Sequence, residues 1–550
     1  MKMSGFTPLA GICGLWFILV LPQVEPLLAQ PGFKPSDVVT YTDCRRVWSG
    51  DVAWREVFFA TDGGVWRISR SEGTPLEPWY TGIGYDRAVN LSGARAVLWH
   101  KNSNTLWVAC RSGLYYCRLD GLRWYQLKGV NFGSIRALGE NWDQVVVESD
   151  GGDLTAVDPF SLQAIGAADT AGVEMRWVGA RGREPHRFPS YALSDPRLDF
   201  DPGDGTVTDR NFDHFKPNYD FRDEDEGREY ICYPGLGIAV ADLRSLRMTI
   251  YQPGPAKNDV EAIALDDEGR IWIGGVEETR NGGFSRFDRG SGEWTRFDRT
   301  LEFGMESDHA REALFYNGVI YWGTEAGLVY LQSPNYSWRC LDGFDGLSSP
   351  DIRTLAVTGG YLIAGSDRGI DFIQTNTNVV WNAGDARLDG LHTESLAVQG
   401  DTIWAAGVQG VFKGTLEGRW ERISGDSTIG DEPARAITVD ERFVWIGSSS
   451  GIRQLDRRTG AWTAHLGDVF LKGGKPTALV SNDSLLWVGT NNRGVFRFNR
   501  LRGSWLNFGL DQGLPDPRIQ RLVLEQDSLW IGSPAGLTRL LWNRPERDGW

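Results

Sequence analysis

One pattern constrains this chain above all others. Residues 485–508 read "LLWVGTNNRGVFRFNRLRGSWLNF", and relatives of that stretch recur throughout, among them "VWIGSSSGIRQLDRRTGAWTAH", "IWAAGVQGVFKGTLEGRWERI" and "LWIGSPAGLTRLLWN". An aromatic or apolar marker residue stands at Phe58, Trp107, Val146, Ile231, Trp272, Tyr321, Ile363, Trp404, Trp445, Trp487 and Trp530. Successive spacings are 49, 39, 85, 41, 49, 42, 41, 41, 42 and 43 residues. A period near 42 is the length of a four-stranded propeller blade.

The chemistry within each unit agrees with that length. An alternating run such as "IRTLAV" or "ARAITV" opens the unit, and a polar turn, often rich in Asp, follows it. The next strand, "LWVGT" or "VWIGS", is apolar on both faces, as a strand packed between two neighbouring sheets must be. A turn ending in Gly leads to "GIRQLD" or "GVFRFN". A second turn then precedes a fourth strand opened by Trp, as in "EWTRF" and "SWLNF". Four short antiparallel strands per unit, without helical periodicity, predict an all-β chain of radially arranged sheets. A β-solenoid would use much shorter repeats.

The units "LWVGTNNRGVFRFNRLRGSW" and "IWIGG…GGFSRFDRGSGEW", with "GLP" at Gly513–Pro515 after a fourth strand, resemble the two-component regulator propeller repeat. The resemblance covers most of residues 40–550 and is strongest at the Trp272 unit and from Trp404 to Trp530. It implies an extracytoplasmic sensor-type β-propeller, with paired rings common in such proteins. No kinase, DNA-binding or transmembrane segment follows the last unit, so the resemblance does not extend to signalling itself.

Eleven units are too many for one ordinary ring, so two tandem propellers are expected. The N-terminal one spans 36–257 and carries an inserted acidic loop at 168–226; the seven-bladed C-terminal one spans 258–550. One complication is visible: the last unit lacks a fourth strand, while "DVVTY" at the start is a spare one. Pairing the two would close a ring and remove its exposed edges. A discontinuous or very large single ring is the alternative.

The first residues, "MKMSGFTPLAGICGLWFILVLPQVEPLLAQPGF", have a lysine, an apolar run and a small Ala29, the shape of a secretory signal peptide over 1–29. "LAGIC" is a poor lipidation site, because Ile12 is bulky and most of the apolar run follows the cysteine. An exported, periplasmic, cell-surface or secreted protein without stable membrane insertion is expected. The net charge of −15 excludes nucleic acid as a partner, since phosphate binding needs clustered Lys and Arg. Cys44, Cys110, Cys117, Cys232 and Cys340 would remain after cleavage. They form no disulfide framework and no CxxC, which favours buried thiols.

Chemistry is sparse. There is no HExxH, no GxSxG and no fixed partner for any of the six histidines. "LDRRTGAW" is similar to a quinoprotein turn but lacks adjacent cysteines, and "SNDSLLW" is half a sialidase Asp-box. Between Asp195 and Glu226 there are eleven acidic residues against four basic ones. Asp199, Asp201, Asp204 and Asp209 are close enough in sequence to supply carboxylates to calcium, although "DFDPGDG" misses the EF-hand spacing by one residue. A solvated acidic loop is the plainer alternative. Most aromatics occupy repeat positions that pack sheet against sheet. Those outside the register, Trp177, Phe188, Tyr191, Phe212 and Tyr219, are candidates for ligand contact. So are Glu277, Glu278 and Arg280, which lengthen the turn "GGVEETRNGGF". The reading is a non-enzymatic propeller that binds a protein or glycan partner. A polysaccharide lyase or glycosidase, and a detached periplasmic sensory subunit, are the alternatives. Whatever is not repeated should supply the function, so replacing 171–225 by a Gly-Ser linker is expected to abolish binding while sparing the fold.

Overall fold

Every one of the eleven marker residues falls in the second of four consecutive antiparallel strands, and in two sheets a further strand is added. The apolar-on-both-faces pattern explains why. Trp107, Trp445, Trp487 and Trp530 are fully buried, each sealed between its own sheet and a neighbour. The computed structural model describes residues 37–543, apart from 85–87, 130–131, 171–172, 180–186, 211, 276–282, 300–301, 333–336, 386, 389 and 424–431. Among the described residues the chain is all-β, with nine four-stranded and two five-stranded blade sheets and helical elements only at Gly467–Phe470 and Leu510–Gln512. It is a pair of β-propellers.

Seven sheets form the larger ring. Their inner strands run from Ala262–Leu265, Ala310–Tyr316 and Ile352–Thr358 to Arg521–Glu525, each packing on the next, and the last returns to the first. The final sheet obtains its outer strand from the start of the chain. Val38–Tyr41 pairs antiparallel with Gly536–Leu541, Val38 opposite Leu540 and Tyr41 opposite Leu537. Gly536, at φ 127°, is required there, because a Cβ would stand 2.4 Å from the Tyr41 carbonyl oxygen. Val39 and Tyr41 are buried against Phe287 and Trp530. The spare first strand therefore belongs to the C-terminal ring, although the next residue groups belong to the other.

The smaller ring has four sheets, with inner strands Val47–Val52, Ala94–His100, Ile135–Glu140 and Tyr219–Asp223. The segment read as an acidic loop is built into it. Arg176–Gly179 adds a fifth strand along the inner edge of Ile135–Glu140 and packs on two other inner strands. Ala192–Leu193 adds a parallel strand outside Arg247–Tyr251. Asp199–Phe200, Val207–Thr208 and His214–Phe215 make a small sheet of their own, and Tyr219–Asp223 is itself a blade strand. On the axis, Arg176 reaches Asp51 at 2.6 Å, Glu140 at 2.5 Å and the Trp99 carbonyl at 3.2 Å, tying three sheets together. The insertion is thus structural as well as exposed. A linker replacing 171–225 would delete two inner strands, Arg176–Gly179 and Tyr219–Asp223, so it does not isolate a binding loop.

Two segments cross between the rings, and they are fastened to each other. Cys44 N–H donates to the Pro253 carbonyl at 3.1 Å, Asp43 N–H to Asn258 Oδ1 at 2.7 Å, and Arg45 to the Ala256 carbonyl at 3.1 Å. Gly254, at φ 81°, lets the Thr42 carbonyl approach to within 1.7 Å of where a Cβ would stand. The rims also meet, with Arg539 of the larger ring 2.6 Å from Glu77 of the smaller.

Candidate binding site at the mouth of the larger ring

The residues singled out from sequence scatter once folded. Trp177 lies half-buried on the axial strand, its ring flat against Gly139. Tyr191 is 6% exposed and donates its hydroxyl to Glu229; Phe188 is buried over Gly205. Tyr219 is a half-buried blade residue against Phe221. Phe212, 80% exposed, presents open surface. Glu277, Glu278 and Arg280 lie outside the described residues, as does the stretch 1–29 expected to be a leader. Three of the four aspartates hold turns: Asp201 accepts from Gly203 N–H at 2.7 Å, Asp204 from Thr206 N–H at 2.9 Å and Asp209 from Asp213 N–H at 2.9 Å, while Asp199 sits in a short strand. Among the described residues, no three acidic, His or Cys side chains come close enough to share a metal ion. The five cysteines are free thiols and four are buried; burial pushes Cys44 up to about 11.

What the fold does bring together is one register position. The inner strands of the larger ring open with a buried residue, then a polar one, then a small or polar one: "VEA", "ARE", "IRT", "TES", "ARA", "PTA" and "IQR". In five of the seven sheets the pairing slips by one residue at the second position, a β-bulge that re-aims the side chain. The bulged or equivalent residues are Glu261, Arg311, Arg353, Glu394, Arg435, Thr477 and Gln520. They surround the channel on the face where each sheet connects to the next.

A network satisfies most of them. Arg353 lies 3.0 Å from Asp351 and 3.2 Å from Glu394, Arg311 is 3.3 Å from Asp351, and His392 is 3.1 Å from Glu394. Gln520 donates to Asp259 at 2.7 Å and to Glu261 at 3.3 Å. Burial first, and the Asp259 charge second, raise the Glu261 pKa to about 7. Deeper in the channel Arg521 pairs with the buried Glu312, across a cavity of about 290 Å³ also lined by Thr354 and Ser395. Hydroxyls at the third position stitch neighbouring strands: Leu396 N–H donates to Thr354 Oγ1 at 3.1 Å and Ile437 N–H to Ser395 Oγ at 3.3 Å. Arg435 is the exception. It is exposed at the mouth and makes no ion pair or hydrogen bond among the described residues. The mouth is therefore polarised, neutralised on the side of Arg353 and Glu394 and openly cationic at Arg435.

Sequence reasoning missed this ring because a bulge belongs to strand pairing, which the chain does not spell out locally. A signal was present nonetheless. In these strands the second position alone is polar in every sheet, through Glu, Arg, Thr and Gln.

No family model and no curated protein matches the chain. Among solved structures it is similar to PorZ, an essential bacterial surface component of the type-IX secretion system of Porphyromonas gingivalis, with a TM-score of 0.53 and 15% identity over 92% of this chain and 87% of that one. It is also similar to the extracellular domain of the putative one component system BT4673 of B. thetaiotaomicron (TM-score 0.45, 13% identity, 91% and 76% covered). The extracellular domain of the putative hybrid two component system BT3049 from the same organism follows (TM-score 0.44, 14% identity, 94% and 76% covered). At these identities the likeness is one of fold.

Proposed function

We propose that the protein is an exported binding module that takes a protein segment or a glycan at the mouth of the larger ring. The observation that carries this is the bulged position. Its side chains are polar in every sheet but differ from sheet to sheet, and a rigid ring aims them at one channel. Rigid presentation of irregular polar groups is how scaffolds of this kind acquire specificity. Arg435, left without a partner, supplies the charge for an acidic or hydroxyl-rich ligand. The test is a glycan array together with capture of envelope proteins, run with the wild type and with Arg435→Glu. Loss of every wild-type ligand in the variant supports the site; ligands that bind both equally overturn it.

A second reading has a specific observation behind it. Asp259, Glu261, Asp351, Glu394 and His392 gather at the same mouth, and Glu261 has the pKa of a general acid or base at neutral pH. A polysaccharide-active enzyme needs such a convergence. Incubating bound glycans with the protein and measuring new reducing ends or unsaturated products separates catalysis from binding.

A further inference from the structure

Where the smaller ring's insertion meets the first sheet of the larger ring there is a cleft of about 270 Å³. One wall comes from Arg210 and Phe215 of the insertion, the other from Trp294 and Arg296 on strand Glu293–Phe297. Arg45 and Gln252, from the two crossing segments, form the floor. Four guanidinium groups line this space, and their partners can be followed one by one. Arg45 is held by Asp43 at 2.6 Å and Arg197 by Asp195 at 2.8 Å. Asp209 accepts the Asp213 N–H, and Asp298 acts on Arg45.

That leaves Arg296 and Arg210. Arg296 donates only to neutral acceptors: Gln252 Oε1 at 2.5 Å and the carbonyls of Gln252, Pro253 and Gly254 at 2.9, 3.3 and 2.6 Å. Its Nε is buried and has no acceptor. Desolvation, and Arg45 beside it, pull its pKa down to about 9 against the Asp43 carboxylate, which pulls it up but is itself bonded to Arg45. Arg210 is exposed and feels the Asp195 charge only at a distance, and no carboxylate stands within ion-pair distance of either group among the described residues. A buried cation that makes no ion pair and shares its nearest carboxylate with Arg45 is costly, and an arriving carboxylate would relieve that cost while gaining charge-assisted hydrogen bonds.

We propose that this cleft binds a carboxylated pyranose, a hexuronate residue, whose carboxylate meets Arg296 and Arg210 while its ring lies between Trp294 and Phe215. The volume suits one sugar residue, and the Thr295 and Gln252 side chains beside it can serve its hydroxyls. Because the walls come from both rings and the floor from both crossing segments, the bound sugar also fixes how the rings sit against each other. This site is separate from the channel mouth and stands or falls independently of it.

Titration calorimetry of the full chain with galacturonate and glucuronate, with galactose and sulfate as controls, tests the proposal. A hexuronate should bind, galactose should not, and sulfate should bind more weakly. Arg210→Ala, an exposed position whose loss leaves the fold intact, should weaken hexuronate binding about tenfold or more. Arg296→Lys keeps the charge but loses the guanidinium geometry, and should do the same. Deuterium uptake at 42–46 and 252–258 should fall when the sugar acid is bound. Absence of hexuronate binding overturns the proposal. So do equal affinities for sulfate and hexuronate, and hexuronate binding unaltered in Arg210→Ala.

Discussion

Arg176→Met tests the claim that the insertion holds the smaller ring together. The arginine answers two carboxylates of low exposure, Asp51 at 7% and Glu140 at 14%, and donates as well to the Trp99 carbonyl. Met has similar bulk, so the substitution removes charge and hydrogen bonds while leaving the axial strand room to stay. Breaking a buried pair by removing one partner costs about 3–5 kcal/mol. The lower end applies, because the Arg176 side chain keeps 45% of its exposure and water can reach part of what it leaves. Asp51 also retains the N–H groups of Val52 and Trp99 at 2.9 and 2.7 Å. A loss of about 3 kcal/mol follows, or about 9 °C in the melting of a ring of this size. Thermal scans should show the shift, and deuterium exchange should place it in the strands Ala94–His100 and Ile135–Glu140. Adding Asp51→Asn and Glu140→Gln should recover a large part of the loss, since no buried charge is then left unanswered. A change below about 0.5 kcal/mol, or a triple variant as unstable as the single one, would refute the reasoning.

Two other outcomes are expected. The Glu261 pKa is raised in the folded state from 4.5 to about 7, so its proton stabilises the fold fully below about 4.5 and that stability is lost as the pH rises through about 7. Glu261→Gln should match the wild type in chemical denaturation at pH 4 and exceed it at pH 8; a constant difference would show that the titration lies elsewhere. A chain beginning at residue 43 lacks the outer strand of the last sheet and the buried Val39 and Tyr41. Compared with a chain beginning at residue 30, it should melt about 10 °C lower and self-associate through the bared edge in size-exclusion chromatography with light scattering.

The repeat was legible because each unit buries the same strand in the same way. Trp445 and Trp487 sit 42 residues apart in sequence and occupy equivalent places in adjacent sheets. The spare "DVVTY" strand was legible for the complementary reason, that one unit was a strand short. What stayed hidden depends on pairing over distance. Arg176–Gly179 is four residues long, and nothing near it announces that its partner is Ile135–Glu140. Tyr191 stood outside the repeat register, which marked it as free; its hydroxyl instead finds Glu229 in the core. The channel mouth was half legible: the variable second position shows in the sequence, whereas the bulge that turns it inward does not.

The closure of the larger ring has a mechanical side. Val38 lies opposite Leu540 and Tyr41 opposite Leu537, so the two chain segments leave the paired strands at the same end. A force applied at residues 37 and 541 loads those hydrogen bonds one pair at a time, beginning with Val38 and Leu540, rather than all together in shear. The seam should therefore open by unzipping at low tension, although the same strands are well buried at rest. Tension on the two ends of the folded chain would open this ring at its seam first.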